Sequence, residues 1–394
     1  MPLANGRRSL SIPGPSVFPD AVLQAMHRPA INIYDGELVE MAYSLFPDLQ
    51  KVARTTDTPL IYICNGHGAW EASIVNTLDE GDKVLVLESG RFAVGWGEMA
   101  EAFGVQVEYL NAPDRAGVDP QMVEDRLRAD INHEIKAVLV VQIDTASGVW
   151  NDIAAIRKAI DAAGHPALYM VDCMASLGCV PYEHSEWGVD VTTSGCQKGL
   201  MTPPGLGFLH VSDKAKAVRN RLKRGSFYWN WNRRMDPEMF YENFCGTAPV
   251  QHIYGLRKAL DMIMDEGLEA VWDRHATIGA GVRAAVAQWG QDGPLEMNIR
   301  DDAECSNSVS AILTGSIDPE SLRSVAEAQL GVTLGNGLGQ FAASTFRIGH
   351  MGHVNAPMIL GTLGVVEIAL ANIGAPFTSG GVEAAAKAMA GGVA

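Results

Sequence analysis

The chain has 394 residues, of which 47% are hydrophobic and 19% are charged. This length and balance indicate a globular protein of about two domains and exclude a disordered chain. The net charge of −16 argues against a nucleic-acid-binding surface, which would need to be basic. No apolar run is long enough to span a bilayer, and the first residues carry no signal-peptide pattern, so we expect a cytoplasmic protein.

The six cysteines are dispersed and form no Cys-x-x-Cys pair. We therefore expect reduced thiols rather than a disulfide framework or a zinc module. His350 and His353 are the one closely spaced pair of histidines. Two histidines without a further ligand nearby do not predict a metal site.

Short apolar runs alternate with amphipathic segments between about residue 60 and residue 212. Such runs are typical of parallel strands that are buried on both faces. The segment Asn151–Ile160 has a capping residue followed by isoleucines on one helical face. The pattern therefore predicts an α/β domain with a mostly parallel sheet. The predicted strands are Leu60–Cys64, Lys83–Leu87, Val105–Leu110, Ala137–Ile143, Ala167–Val171, Asp190–Ser194 and Leu206–Val211.

The pattern changes after residue 215, where a basic and aromatic segment, Arg219–Arg234, begins. A long helical stretch then runs from near Val250 to Arg283. The last third mixes predicted strands, Ser308–Leu313 and Thr345–Ile348, with a predicted helix, Pro319–Leu330. We predict an N-terminal arm over residues 1–20, a large domain over residues 21–265 and a smaller α+β domain over residues 266–394.

Polar residues follow several of the predicted strands. Asp172 ends one strand, Lys198 follows another, and the loop Gly66–Gly68 lies between a strand and a helix. A carboxylate at the C-terminal end of a strand faces the ligand crevice of an open sheet. A glycine loop before a helix lets backbone N–H groups approach an anion. Pyridoxal phosphate needs such a set: a lysine for a Schiff base, an acid against the pyridine nitrogen and a phosphate site.

Two further residues extend this hypothesis. Phe92 is the candidate for a flat side chain against the cofactor ring. Arg347 lies inside an otherwise apolar strand, and a buried arginine requires an internal or a substrate carboxylate. Taken one at a time, these residues also fit structural roles: a surface lysine for Lys198, a helix cap for Asp172 and core packing for Phe92.

The order of the motifs resembles the class V aminotransferases of the serine–glyoxylate, alanine–glyoxylate and aspartate–glyoxylate group, within the fold type I pyridoxal-phosphate enzymes. The resemblance implies a large domain with a mostly parallel sheet and a smaller α+β domain. It covers nearly the whole chain. The matching segments are Pro13–Pro15, Asn65–Gly68, Asp144–Val149, Val171–Asp172, Ser194–Lys198, Pro203–Gly205, Tyr254–Leu260 and Phe346–Gly352.

The resemblance also implies residue roles. Lys198 carries the cofactor, Asp172 keeps the pyridine nitrogen protonated, and Arg347 binds the substrate carboxylate. Thr247 reaches the phosphate of the neighbouring subunit, which implies a homodimer or tetramer with shared active sites, and Tyr34 is assigned to the substrate site. The remaining cofactor contacts are Asn65, Gly66, His67, Phe92, Thr145 and Gln197.

The implied activity moves an amino group from aspartate or serine to glyoxylate, in ping-pong order through pyridoxamine phosphate. A dicarboxylic donor needs a second cation besides Arg347, whereas glyoxylate has no side chain to recognise. The candidates for that cation are Lys223, Arg224, Arg233, Arg234, His350 and His353.

Two segments depart from the glyoxylate group. Ile33–Glu37 lacks the usual basic pair, and Val141–Asp144 replaces a His-Asn-Glu or His-Gly-Glu pattern. Tyr34 and the Asp144–Gly148 run also resemble pyridoxamine–pyruvate aminotransferases, which are the main alternative. The minor alternatives are a pyridoxal-phosphate lyase and a cysteine desulfurase. The desulfurase needs a reactive cysteine, and the acidic neighbours of Cys305 are expected to raise its pKa.

Overall fold

The computed structural model describes residues 3–235 and 237–392. Its strands, in chain order, are β1 (Ser9–Ser11), β2 (Leu60–Cys64), β3 (Lys83–Glu88), β4 (Gln106–Asn111), β5 (Ile135–Val141), β6 (Ile143–Asp144), β7 (Val149–Trp150), β8 (Leu168–Asp172), β9 (Val191–Gly195), β10 (Gly205–Val211), β11 (Glu296–Met297), β12 (Val309–Leu313), β13 (Val332–Asn336) and β14 (Thr345–Gly349). Its helices are α1 (Asp20–Met26), α2 (Glu37–Ala53), α3 (Gly66–Thr77), α4 (Arg91–Ala102), α5 (Pro120–Ala129), α6 (Ile153–Ala162), α7 (Asp213–Arg219), α8 (Asn232–Met235), α9 (Val250–Glu266), α10 (Leu268–Trp289), α11 (Pro319–Leu330), α12 (Ala356–Asn372) and α13 (Gly381–Ala390).

The larger sheet has seven strands in the order β2-β10-β9-β8-β5-β3-β4. Only β10 runs antiparallel to its neighbours in this sheet; the other pairs are parallel. The predicted α/β fold with a mostly parallel sheet is therefore confirmed. In such a sheet the carboxyl ends of β2, β5, β8 and β9 lie along one edge, where open sheets bind ligands.

Helices cover both faces of this sheet. Because side chains alternate along a strand, Val138 and Val140 of β5 join a core with α2, α5, α6 and α9. Leu139 and Val141 point the other way, into a core with α3 and α4. This double burial explains why the strands are continuous apolar runs. The predicted cap of α6 is also present, since the Asp152 carboxylate accepts from Ala155 N at 2.9 Å.

A second sheet has five strands in the order β1-β13-β14-β12-β11, and β6 and β7 form a separate two-stranded sheet. Helices α10 to α13 pack on the five-stranded sheet around Ile312, Phe346 and Ile348, which are all fully buried. The N-terminal strand β1 joins this sheet in parallel with β13, with Ser9 opposite Val332. The N-terminal segment is therefore anchored on the C-terminal part of the chain.

The structure differs from the predicted elements at two places. The long helix predicted from Val250 to Arg283 is wrong, because the chain breaks at Gly267 into α9 and α10. Gly267 has a φ of +87°, a conformation that glycine tolerates and that a helix interior excludes. The predicted strand Ala137–Ile143 ends early, since β5 stops at Val141 and β6 begins at Ile143. The division into domains at residue 265 stays a prediction.

Among the described residues, no helix combines the length and the hydrophobicity that crossing a bilayer requires.

Candidate functional site

A cavity opens at the carboxyl edge of the larger sheet. Its empty volume, including the open mouth, is about 580 Å³. Most of the residues predicted from the sequence meet there: Asn65, Gly66, His67, Phe92, Thr145, Asp172, Gln197 and Lys198. The cavity is also lined by residues for which no role was predicted: Trp70, Val141, Ile143, Met174 and Ala175.

Lys198 lies in the turn that follows β9, and its amine enters the cavity. Its Nζ donates a hydrogen bond to the carbonyl of Pro13 in the N-terminal segment. Burial, together with the positive charge of Arg347, lowers the pKa of Lys198 to about 8, although the Asp172 carboxylate opposes this change. A larger fraction of the amine is therefore neutral near neutral pH than for an exposed lysine.

Asp172 ends β8 and is only 1% exposed. Its Oδ1 accepts a hydrogen bond from the backbone N–H of Met174 at 2.6 Å, and its Oδ2 accepts one from Trp70 Nε1 at 2.9 Å. Burial raises the pKa of Asp172 to about 7, because these hydrogen bonds and nearby Lys198 only partly offset the lost hydration. The carboxyl group is thus held in one orientation and titrates near neutrality.

The loop after β2 places a helix N-terminus at the cavity. Asn65 caps α3, its side chain accepting from Gly68 N at 3.3 Å. The first N–H groups of a helix have no partner within the helix, so those of Gly66 and His67 suit an anion. Gly68 is needed for packing, because an added Cβ would lie 2.5 Å from the Cβ of Cys64.

The Asp144 carboxylate fixes the backbone around Phe92, another residue that lines the cavity. Its Oδ2 accepts from the backbone N–H groups of Phe92 and Ala93 at 2.8 and 3.1 Å, and its Oδ1 accepts from Ala146 N at 2.9 Å. The carboxylate thereby fixes the start of α4, which carries Phe92. Gly90 is required beside it, since an added Cβ would collide with the Asp144 carboxylate. Asp144 belongs to one of the matching sequence segments, but the sequence predicted no role for it.

Arg347 lies in the middle of β14 and is 5% exposed. Its Nε donates to Asn336 O at 2.6 Å and its Nη1 to Thr145 O at 2.8 Å. Among the described residues it has no carboxylate within ion-pair distance. Burial lowers the pKa of Arg347 to about 10, with the charge of Asp144 opposing. A buried, charged guanidinium that lacks a counter-ion is suited to an anionic ligand.

The N-terminal segment closes over the lysine, a feature that no sequence signal marked beyond the Pro13–Pro15 motif. Ser16 donates from its Oγ to Lys198 O at 2.8 Å and from its backbone N to Gln197 O at 2.9 Å. Gly14 has a φ of +104°, and an added Cβ there would collide with the Lys198 side chain. The arm therefore fits against the lysine only with glycine at this position.

Tyr34 and Thr247 do not line the cavity of this chain. Tyr34 is 66% exposed, and Thr247 is also exposed. Two of the residues considered for binding the side-chain carboxylate of a dicarboxylic donor make hydrogen bonds to other parts of the protein. Arg234 donates to the backbone carbonyls of Ile61, Asn243 and Tyr228, and His350 contacts Asn307 O and the Ser310 hydroxyl. Lys223, Arg224, Arg233 and His353 also lie outside the residues that line the cavity.

Cys305 is buried, with an exposure of 1%. Burial raises its pKa to about 11, and its acidic neighbours add to this effect. A buried thiol of this kind is a poor nucleophile, which disfavours the cysteine desulfurase alternative.

Known proteins are similar to this chain over nearly its full length. A serine–glyoxylate aminotransferase of Methylorubrum extorquens is 40% identical and covers 97% of this chain and 95% of its own. An L-aspartate–glyoxylate aminotransferase of Paracoccus denitrificans is 38% identical and covers 95% and 94%. The crystal structure of a pyridoxamine–pyruvate aminotransferase from Mesorhizobium loti superposes with a TM-score of 0.89 at 29% identity, covering 98% and 97%.

The family model described as "Aminotransferase class-V" matches residues 49–354, which is more than half of the chain. The resemblance predicted from the motifs is therefore confirmed. The chain belongs to the class V aminotransferases, which are fold type I enzymes with pyridoxal phosphate as their cofactor.

Proposed function

We propose that this aminotransferase moves the amino group of serine or aspartate to glyoxylate, giving glycine and the matching 2-oxo acid. The observation that carries the proposal is that Lys198 and Asp172 line one cavity. The guanidinium of Arg347 is not itself in the lining, but it donates to the carbonyl of Thr145, which is. The choice of substrates is supported by the activities named for the relatives at 40% and 38% identity.

The residues present fit pyridoxal phosphate. Gln197 Oε1 is buried and has no hydrogen-bond partner among the described residues, so it is free to accept a hydrogen bond from a ligand, while Nε2 of the same amide is the atom that can donate to a phosphate. The amine of Lys198, the carboxylate of Asp172 and the N-terminus of α3 supply the base, the acid and the anion site that the cofactor requires. When bound, the cofactor supplies an electron sink for negative charge on the substrate α-carbon.

The protein groups have distinct tasks in this proposal. Asp172 holds the ring nitrogen in its protonated form, and Phe92 packs against the ring. Asn65, Gly66, His67 and Gln197 contact the phosphate end, and Thr145 contacts the ring from its place beside Arg347. Lys198 Nζ is the general base for the α-proton of the substrate, a task for which a pKa near working pH is suited.

Arg347 binds the α-carboxylate that donor and acceptor share. Changing Arg347→Lys keeps the charge but removes the planar fork, so kcat/KM for donor and for glyoxylate is expected to fall about 10- to 100-fold. Steady-state kinetics measure the effect. Arg323→Lys is the matched control, since Arg323 Nε also donates to a backbone carbonyl, that of Leu334 at 3.4 Å. An equal loss in the two variants would contradict the assignment.

The lowered pKa of Lys198 gives a second expectation. Only the neutral amine is nucleophilic, so acetylation of Lys198 in the apoprotein by acetic anhydride is expected to accelerate with pH and level off above about 8. Mass spectrometry of the modified peptide follows the rate. Added pyridoxal phosphate should protect Lys198 but not Lys214. A rate that still rises at the ordinary lysine value of 10.5 would refute the expectation.

The proposed function is tested by half-reactions. The protein loaded with pyridoxal phosphate is mixed in turn with serine, aspartate, alanine and pyridoxamine, and the absorption of the bound cofactor is followed. Bleaching by serine or aspartate, reversed by glyoxylate with formation of glycine, supports the proposal and identifies the donor. Failure to form glycine with every donor rejects it. Conversion of pyridoxamine and pyruvate into pyridoxal by the apoprotein would favour the alternative, a pyridoxamine–pyruvate aminotransferase.

We also propose that the enzyme is a homodimer with shared sites and works in the cytoplasm. Tyr34, Ile63 and Phe227 are exposed by 66, 39 and 70%, and burial against a second copy would remove apolar surface of these side chains from water. Thr247, exposed in one chain, would then reach the phosphate of its partner's cofactor. The cysteines described are all free, as is usual in a reducing compartment. Sedimentation analysis of the purified protein tests whether it is a homodimer.

A further inference from the structure

Trp70 is the closest side-chain hydrogen-bond partner of Asp172. It lies in the first turns of α3, is 3% exposed, and donates from Nε1 to Asp172 Oδ2 at 2.9 Å. The backbone N–H of Met174 holds the other carboxylate oxygen. Because an indole N–H can only donate, the contact fixes the orientation of Asp172 and favours its charged form.

The same indole ring contacts other cofactor-site residues. Its centroid lies 4.9 Å from that of His67 and 6.3 Å from that of Phe92. It also stacks on Trp96, with centroids 6.0 Å apart and ring planes at 14°. Trp70 therefore connects the residue at the ring nitrogen with residues at the phosphate end and at the ring face.

Trp96 provides an internal comparison. It is fully buried in the same cluster, but its Nε1 has no hydrogen-bond partner among the described residues. The contribution of Trp96 is therefore packing. Trp70 and Trp96 share ring type, burial and hydrophobic cluster, but Trp70 lines the cavity and donates to Asp172, whereas Trp96 does neither.

We propose that Trp70 is a positioning residue of the cofactor site, whose indole N–H holds the Asp172 carboxylate in the orientation and charge state that bind the protonated ring nitrogen. The proposal rests on the role proposed above for Asp172. Other charges that act on Asp172 are the carboxylate of Asp144 and the amine of Lys198, which oppose each other. Since burial raises the pKa of Asp172 to about 7, the hydrogen bond from Trp70, like that from Met174 N–H, increases the fraction of Asp172 that is ionised near neutrality.

Binding of pyridoxamine phosphate to the apoprotein tests the proposal, because this probe binds without a covalent link to Lys198. Trp70→Phe removes the N–H and keeps an aromatic ring, and should raise the pKa of Asp172 by about one unit. The dissociation constant, measured by calorimetry, is expected to rise roughly five- to tenfold near pH 7 and less above pH 8. Trp96→Phe is expected to stay within about twofold at each pH. An equal loss in both variants, or a loss that does not change with pH, would overturn the proposal.

A mutant cycle separates this proposal from the role of Asp172. If Trp70 acts through Asp172, Trp70→Phe should weaken binding no further once Asp172→Ala is present. A full additional loss would overturn the proposal while leaving the role of Asp172 intact. If Asp172→Ala alone does not weaken binding, the role of Asp172 fails, and the proposal fails with it.

A measurement on the unmutated indoles covers the case in which Trp70→Phe does not fold. In apoprotein carrying 15N-labelled tryptophan, one indole N–H resonance is expected to shift with pH and follow an apparent pKa of about 7. The same resonance should be insensitive to pH in Asp172→Asn. If no indole resonance shows this dependence, the proposed bond is refuted.

Discussion

Replacing Lys198 with alanine is expected to lower kcat about 10³- to 10⁴-fold for every donor, because the general base for the α-proton is lost. The effect is measured as glycine formed per active site, with the cofactor added as pyridoxamine phosphate so that binding does not depend on a covalent link. Added methylamine should restore part of the rate at which the α-proton exchanges with solvent, since a small amine can enter the space that the side chain leaves.

Lys214→Ala is the matched control for that experiment. Lys214 Nζ also donates to a backbone carbonyl, that of Ala167 at 2.7 Å, but it does not line the cavity. Its loss should leave kcat within about twofold, as surface substitutions usually do. Turnover in Lys198→Ala that matched the unmutated enzyme would refute the proposed role of Lys198.

Asp172→Asn is expected to lower kcat about 10²- to 10³-fold, since an amide of the same size cannot neutralise a protonated ring nitrogen. Steady-state kinetics and the dissociation constant of pyridoxamine phosphate measure the effect. Asp190→Asn is the control: Asp190 is also buried and accepts from Tyr169 N at 2.9 Å, but it precedes β9 at the opposite edge of the sheet. A similar fall of kcat in both variants would argue for a structural role only.

Asp172→Asn should increase the stability of the apoprotein although it lowers kcat. The pKa of Asp172 is about 7 in the folded chain against 3.8 for an ordinary aspartate, so folding favours the protonated form. The resulting contribution to stability is present at low pH and is lost as pH rises through about 7. Above that pH, the Asp172→Asn apoprotein should therefore melt at a higher temperature than the unmutated apoprotein, while being the poorer enzyme.

The fold was predictable because its strands are buried on both faces. Runs such as Ala167–Val171 have too few polar residues for any surface element, and their alternation with helices leaves a parallel sheet as the simplest arrangement. The break at Gly267 was missed, since a single glycine inside a periodic pattern is compatible with a continuous helix. Only its positive φ in the folded chain shows that it ends α9.

The candidate site was predictable where chemistry restricts the residue type. A lone lysine and a carboxylate after strands, as at Lys198 and Asp172, have few structural explanations when several motifs agree. Trp70 and Asp144 were not assigned roles, because their roles depend on bonds to residues distant in sequence. In the sequence, a tryptophan on an apolar helix face is indistinguishable from a core residue. Its hydrogen bond to a carboxylate is visible only in the structure.

The pairing of β1 with β13 has a consequence for the synthesis of the chain. Ser9–Ser11 leaves the ribosome long before Val332–Asn336 is synthesised, so β1 cannot pair with β13 until most of the chain has been made. All strands of the larger sheet are complete by Val211. We expect the nascent larger sheet to expose Lys198 until the segment that carries Pro13 docks, so that the newly made protein can take up its cofactor before its own N-terminus covers the amine.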